Sequence, residues 1–284
     1  MRPKGGIYIN SKDIHSKSIL TPANGLLTSS GFTFSLNPYT GCAFGCSYCY
    51  VREMPAAKYR DEEWGSYVDI KVNAASLLES EVKKAKKKDQ VLSIFMSTAT
   101  DPYQGIEAKT KLTRSLLEVM LSLKEDITHL MVHTRSPLVT RDIDLFQEFG
   151  EKILISMSIE TDLDKMRKIF TPSAPPITAR LNALKTITEA GVPTRASISP
   201  MLPLSKNVAK KFKEVTNQVA LDDFFMGDGS RGRRTEQMGI RKKYEQLGLL
   251  QWYEPGAYKK VLAILEEEFD NIDVFHEQTQ FRQK

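Results

Sequence analysis

Apolar and polar positions along the chain fall into two alternating rhythms. Short apolar runs at 32–37, 91–98, 127–134, 152–159, 192–199 and 221–226 are bounded by charged or turn-forming residues and read as β-strands. Between them, stretches with a period near 3.6 at 74–87, 109–124, 141–149, 176–190 and 206–219 read as helices. In the first of these Leu77, Leu78, Val82 and Ala85 share one face, as a core-facing helix requires. Strands alternating with helices of this length predict βαβ units and a parallel sheet. Six such repeats predict an α/β fold of a particular kind, a partial (β/α)6 TIM-type barrel. Residues 1–31 read as a polar, Gly/Ser/Thr-rich lead-in. Past 226 the rhythm changes to a loop at 227–234, helices near 235–247 and 255–268, and a short strand near 272–276. The predicted organisation is therefore a lead-in (1–31), a barrel (32–226) and a C-terminal extension packed on it (227–284).

Composition changes this picture little. The chain has 284 residues, 41% of them hydrophobic and 26% charged, which suits one large globular domain and excludes fibrous or disordered classes. No apolar run reaches membrane-spanning length, and Met1-Arg2-Pro3-Lys4-Gly5-Gly6 leads into no apolar segment of a secretory signal. A cytoplasmic protein with no membrane partner is the expectation. The net charge of +5 is concentrated in part at Lys83-Lys84-Ala85-Lys86-Lys87-Lys88, which reads as the solvated end of a helix complementing its dipole.

Cysteine usage is more informative. The only three cysteines, Cys42, Cys46 and Cys49, lie in one short loop, Gly41-Cys42-Ala43-Phe44-Gly45-Cys46-Ser47-Tyr48-Cys49-Tyr50. An odd number this close together makes a poor disulfide framework. Thiolate sulfur suits iron–sulfur clusters, zinc and copper(I). A [4Fe–4S] cluster takes four cysteines, so three would leave one iron open to a small molecule. A zinc site with a histidine as fourth ligand is the structural alternative, drawing on His15, His129, His133 or His276, none of them near the loop in sequence. In parallel α/β folds the chemistry gathers at the C-terminal ends of the strands. Polar residues do cluster after the candidate strands: 40–50, 98–104, 134–136, then Ser158 with Glu160, and Ser199-Pro200-Met201.

The C-x3-C-x2-C loop, with an aromatic residue before its last cysteine, resembles the signature of radical S-adenosylmethionine enzymes. Asn37-Pro38-Tyr39-Thr40-Gly41-Cys42, Thr100-Asp101-Pro102-Tyr103-Gln104, His133-Thr134-Arg135-Ser136, Arg141-Asp142, Ser156-Met157-Ser158-Ile159-Glu160-Thr161 and Ser199-Pro200-Met201-Leu202-Pro203 resemble the spore photoproduct lyase-like branch. The resemblance implies a [4Fe–4S] cluster on Cys42, Cys46 and Cys49 and S-adenosylmethionine near Thr100, Asp101, Arg135, Ser158 and Glu160. It further implies reductive cleavage to a 5′-deoxyadenosyl radical that abstracts hydrogen from a substrate, with an electron donor such as flavodoxin or ferredoxin. Tyr48 and Tyr50 match the paired tyrosines around the third cysteine. The residue types agree: Arg135 has the fork to meet a carboxylate, and Ser158 and Glu160, two apart, face one side of a strand.

One departure bears on the reaction. The lyase carries a further cysteine after its second strand that returns hydrogen to product, and Thr98 stands in that place here. A threonine O–H is too strong to serve, which leaves Tyr48, Tyr50 or Tyr103 as phenolic candidates. The substrate is open, with nucleic acid the first candidate. The basic balance and the loop carrying Arg231, Arg233 and Arg234 would suit phosphate. The alternatives from other classes are a nucleic-acid-binding protein with a structural iron–sulfur or zinc site, and an electron-transfer module.

Overall fold

The computed structural model describes residues 9–226 and 230–274. The opening hexapeptide, His276, positions 227–229 of the expected loop and 275–276 of the expected last strand lie outside the described residues.

Among the described residues eleven strands form two sheets. They are β1 (Asn10–Ile14), β2 (Leu20–Pro22), β3 (Phe34–Leu36), β4 (Tyr39–Thr40), β5 (Tyr67–Lys71), β6 (Ser93–Met96), β7 (His129–Thr134), β8 (Ile153–Ser158), β9 (Thr194–Ile198), β10 (Val219–Leu221) and β11 (Ile272–Val274). The main sheet has the order β11-β10-β9-β8-β7-β6-β3-β2, parallel throughout except for the β2–β3 pair at its edge. A small side sheet, β1-β5-β4, lies beside it. Helices Ala74–Lys86, Leu112–Ser122, Ile143–Phe149, Ile177–Glu189 and Val208–Lys213 follow successive strands. This is the expected α/β partial barrel, with the short last strand joined as a seventh parallel member.

Alternation along the strands divides their side chains between two environments. Leu130, Val132, Ile153, Ile155, Met157, Ala196 and Ile198 pack into the large core with Leu116, Leu117, Met120, Phe146, Leu184 and Phe212 of the helices. The opposite positions, Met131 and His133, Leu154, Ser156 and Ser158, and Arg195, face the barrel interior. There Met131 and Leu154 pack with Phe32, and the polar ones meet each other. The lysine run ends the first of these helices, with Lys83, Lys84 and Lys86 in its last turn, as a solvated face.

Three departures have physical causes. The run at 221–226 forms strand only at its first residue, β10 having begun two residues earlier. Its aromatic part turns away because Phe224 packs with Phe170, Ile240, Tyr244 and Tyr253 in a satellite cluster. The lead-in contains β1 and β2, which are too exposed and polar to show an apolar period; β1 is held by parallel pairing with β5. Helix Asp164–Phe170 interrupts what reads as a plain connection, and it delivers Phe170 to the satellite cluster.

That cluster also contains Cys42, Phe44, Cys46 and Tyr48, so the cysteine loop and the C-terminal helices share one apolar interior. The Phe170 carbonyl oxygen accepts the Ser47 amide at 3.0 Å. Phe170→Ala, at a fully buried position, is therefore expected to cost about 3–5 kcal/mol in urea unfolding and to loosen the cysteine loop.

Candidate functional site

The cysteine loop follows β4 and is shaped by two glycines. Gly41 has φ +85°, and a Cβ there would lie 2.5 Å from the Tyr67 ring and carbonyl oxygen. Gly45 has φ +52° and sits so close to Gly65 that a Cβ would meet its Cα at 3.2 Å. Gln104, fully buried, braces the same turn, its Oε1 accepting the Ala43 amide at 2.8 Å and its Nε2 donating to the Gly41 carbonyl at 3.2 Å. These contacts fix the backbone from which the three cysteine side chains project.

Those side chains are free thiols. Burial pushes all three up, Cys49 to about 12; neighbouring negative groups add to this, and the Arg135 guanidinium opposes it. Thiolate ligation here must therefore displace protons and depend on a cationic partner. Among the described residues no three His, Cys, Asp or Glu side chains converge on a single-ion position. A polynuclear cluster, taking one thiolate per iron, spreads its ligands more widely. The donor set fits such a cluster.

The thiols border a cavity of about 960 Å3, its open mouth included. The strand ends supply Ser97, Thr98, Thr100 and Asp101 after β6, His133 and Arg135 at β7, Ser158 of β8, Ser199 after β9, and Asp222 and Asp223 after β10. Tyr48, Tyr50, Trp64, Phe224 and Thr235 complete the walls. Hydroxyls of Ser97 and Thr100 and the Trp64 indole N–H are buried with no hydrogen-bond partner, as groups awaiting a ligand would be. Ser97 also holds φ +80°, an uncommon conformation for a residue with a Cβ.

Arg135 links the thiols to the barrel. Its Nη1 lies 2.6 Å from Cys46 Sγ and 2.9 Å from Glu160 Oε1. Glu160 is buried behind it, accepting Tyr48 OH at 2.8 Å and, on its other oxygen, Arg180 Nη1 at 2.7 Å. Burial alone would push this carboxyl up, but Arg135 and Arg180 outweigh it and hold it down at about 2. Asp101 spends its oxygens on the protein, accepting Thr134 Oγ1 at 2.7 Å and the Arg135 and Tyr103 amides at 2.8 and 2.9 Å. Tyr50 donates to the Thr98 carbonyl at 2.7 Å, and Asn37 holds the Thr98 hydroxyl at 3.1 Å.

Of the residues expected from sequence, Cys42, Cys46, Cys49, Tyr48, Tyr50, Thr98, Thr100, Asp101, Arg135 and Ser158 line this one cavity. Glu160 does not; it lies behind the wall, bonded to Tyr48 and Arg135. Tyr103 is turned away, donating to Asp142 at 2.9 Å. The sequence reading missed Arg180, Ser97, Trp64 and the 222–224 wall, and weighed His133 only as a zinc ligand and as part of a motif. His133 alone among the described histidines lines the cavity, and both ring nitrogens are engaged, Nδ1 with Ser156 and Nε2 with Ser158. It is therefore not placed as a fourth metal ligand.

A family model described as the radical SAM superfamily matches residues 36–215, well over half the chain. The chain belongs to the radical S-adenosylmethionine superfamily. Membership implies S-adenosylmethionine and a [4Fe–4S] cluster as cofactors. Relatives include an uncharacterised protein of Methanocaldococcus jannaschii, 36% identical over 173 residues, 61% of this chain and 62% of the other. An uncharacterised protein of Acidianus two-tailed virus is 28% identical over 219 residues, 74% of this chain and 70% of the other. This radical S-adenosylmethionine chain thus spans less than two thirds of the first relative's length. Its fold matches spore photoproduct lyase complexed with dinucleoside spore photoproduct, with a TM-score of 0.63 and 15% identity over 93% of this chain and 81% of that one. It also matches a lyase mutant with bound AdoMet and the dinucleoside, with a TM-score of 0.61 and 14% identity over 95% and 81%. At these identities the likeness is one of fold. No helix among the described residues is long and apolar enough to cross a membrane.

Glu160→Gln should leave Arg135 and Arg180 buried beside a neutral partner, at a cost of about 3–5 kcal/mol at neutral pH. A depressed carboxyl stabilises the fold above its unfolded value, 4.5, and that contribution is lost as pH falls through about 2. The stability gap between wild type and Glu160→Gln, measured by urea titration, should therefore shrink as pH falls from 5 toward 2.

Proposed function

We propose that Cys42, Cys46 and Cys49 hold the [4Fe–4S] cluster through three of its irons and that S-adenosylmethionine occupies the adjoining cavity. The observation that supports this reading is three free thiols beside a cavity with unpartnered hydroxyls. The described residues add no fourth thiol, and the lining histidine has both nitrogens engaged. Once bound, the two cofactors supply a 5′-deoxyadenosyl radical by one-electron cleavage of the sulfonium.

The chain's own residues bind and orient. Arg135 is the one arginine or lysine on the described cavity wall, fixed by Glu160, and meets the cofactor carboxylate. Thr100 and Ser158 offer hydroxyls to the same ligand, while Asp101 sets the Thr134–Arg135 backbone and Glu160 positions Arg135 and Tyr48. Tyr48 and Tyr50, whose O–H groups bond Glu160 and the Thr98 carbonyl, are the cavity phenols that would return hydrogen to product, Thr98 standing between Tyr50 and Asn37 without that capacity.

Nucleic acid is the substrate class this reading favours, supported by the basic balance and by Arg233 and Arg234, which precede cavity-lining Thr235 in one short helix. The fold it shares with a lyase complexed with dinucleoside spore photoproduct agrees with this choice. A flavodoxin- or ferredoxin-type donor supplies the electron, the chain works in the cytoplasm, and 1–31, 32–226 and 227–284 act as lead-in, barrel and extension.

The test is anaerobic. The protein reconstituted with iron and sulfide should release 5′-deoxyadenosine from S-adenosylmethionine with dithionite, and Cys46→Ala should fall to background. Added oligonucleotides should accelerate release and peptides should not. A four-iron cluster that forms without any cleavage would contradict the proposal.

A further inference from the structure

The barrel interior carries a buried polar chain that, apart from its last member Ser158, none of the roles above uses. Asp273 Oδ2 of β11 accepts from Arg195 Nη1 at 2.8 Å, and Arg195 Nε donates to Ser156 Oγ over a longer 3.4 Å. Ser156 Oγ lies 3.2 Å from His133 Nδ1, and His133 Nε2 lies 2.8 Å from Ser158 Oγ. Arg195, Ser156 and Ser158 are buried, while Asp273 at one end is partly exposed and Ser158 at the other lines the cavity. The chain thus crosses the barrel from its last described strand to the cofactor cavity.

One direction leaves no buried donor without a partner. A guanidinium has N–H donors and no acceptor. Ser156 Oγ must therefore accept from Arg195; accepting from His133 Nδ1–H on its second lone pair as well would leave its own buried O–H with no acceptor, so that O–H goes to Nδ1. A neutral imidazole whose Nδ1 accepts carries its hydrogen on Nε2. Burial and the charges of Arg135 and Arg195 keep the ring neutral, pushing its pKa down to about 3. Nε2–H then donates to Ser158 Oγ, and the Ser158 hydrogen is left facing the cavity.

We infer that Arg195, held by Asp273, orients a one-way hydrogen-bond relay through Ser156 and His133 that makes Ser158 a hydrogen-bond donor to an acceptor atom of bound S-adenosylmethionine. The ligand's identity rests on the reading of the cavity given above; the relay itself does not. His133 and Arg195 are positioning residues. Their effect on the cofactor passes through a hydroxyl they do not replace.

The experiment is side-chain nitrogen-15 NMR on the full-length protein with labelled histidine, the His133 signal assigned through His133→Gln. Wild type should show the Nε2–H tautomer, Arg195→Lys should retain it, and Arg195→Met should lose it. The dissociation constant for S-adenosylmethionine on the cluster-loaded protein should rise about tenfold in Ser158→Ala and comparably in Arg195→Met. The double variant should be no weaker than Ser158→Ala alone. An Nδ1–H or doubly protonated His133 in wild type overturns the relay. So do additive losses in the double variant, which would mark Arg195 as merely structural. The predicted tautomer in a cluster-loaded protein that binds no S-adenosylmethionine would sustain the relay and overturn the cavity's assignment instead.

Discussion

A single buried carboxylate organises the site. Glu160 sits between two guanidiniums, Arg135 and Arg180, and through them it fixes most of what surrounds the thiols. Arg180 also donates to the Ser158 carbonyl, tying the end of β8 to helix Ile177–Glu189. Arg135 carries positive charge to Cys46, and Tyr48 hangs from the same carboxylate. A buried charge is tolerated only when paired and hydrogen-bonded, so loss of either arginine would strand Glu160 and misplace the loop at once. The arrangement also matches what thiolates need, because it delivers a fixed cation to a place where burial alone keeps thiols protonated.

Around that carboxylate, strand alternation sorts the chain. One set of positions is apolar and seals the helices to the sheet; the other is polar and points into the barrel. The functional groups follow from this sorting, since each strand ends where its inward residues meet the cavity. The cysteine loop needs separate support because it lies outside the main sheet. It receives that support from Gln104, the Gly45–Gly65 approach and the aromatic cluster shared with the C-terminal helices.

Much of this was legible in the sequence because the relevant signals are periodic or local. Apolar runs placed the parallel strands, and a three-thiol loop spaced C-x3-C-x2-C pointed to a cluster with an open iron before any fold was known. What escaped depended on tertiary contact. β1 is a strand only because β5 pairs with it, and Phe224 leaves the sheet because Tyr244 and Tyr253 offer it a better apolar neighbourhood. Arg180 looks like any polar helix residue until Glu160 is found beside it. His133 reads as a packed residue, and it is packed, yet it also borders the cavity. Glu160 was found by its place in a motif, while its burial behind Arg135 and Tyr48 was not legible there.

The central claim is that three protein thiolates hold a four-iron cluster with one iron left open to the cavity. Mössbauer spectroscopy of protein reconstituted anaerobically with isotope-enriched iron tests it most directly. The account predicts four irons per chain and one iron site whose parameters change when S-adenosylmethionine is added, while the other three stay as they were. A cluster whose four sites are all indifferent to S-adenosylmethionine, or a chain that takes up zinc in place of iron, would contradict it.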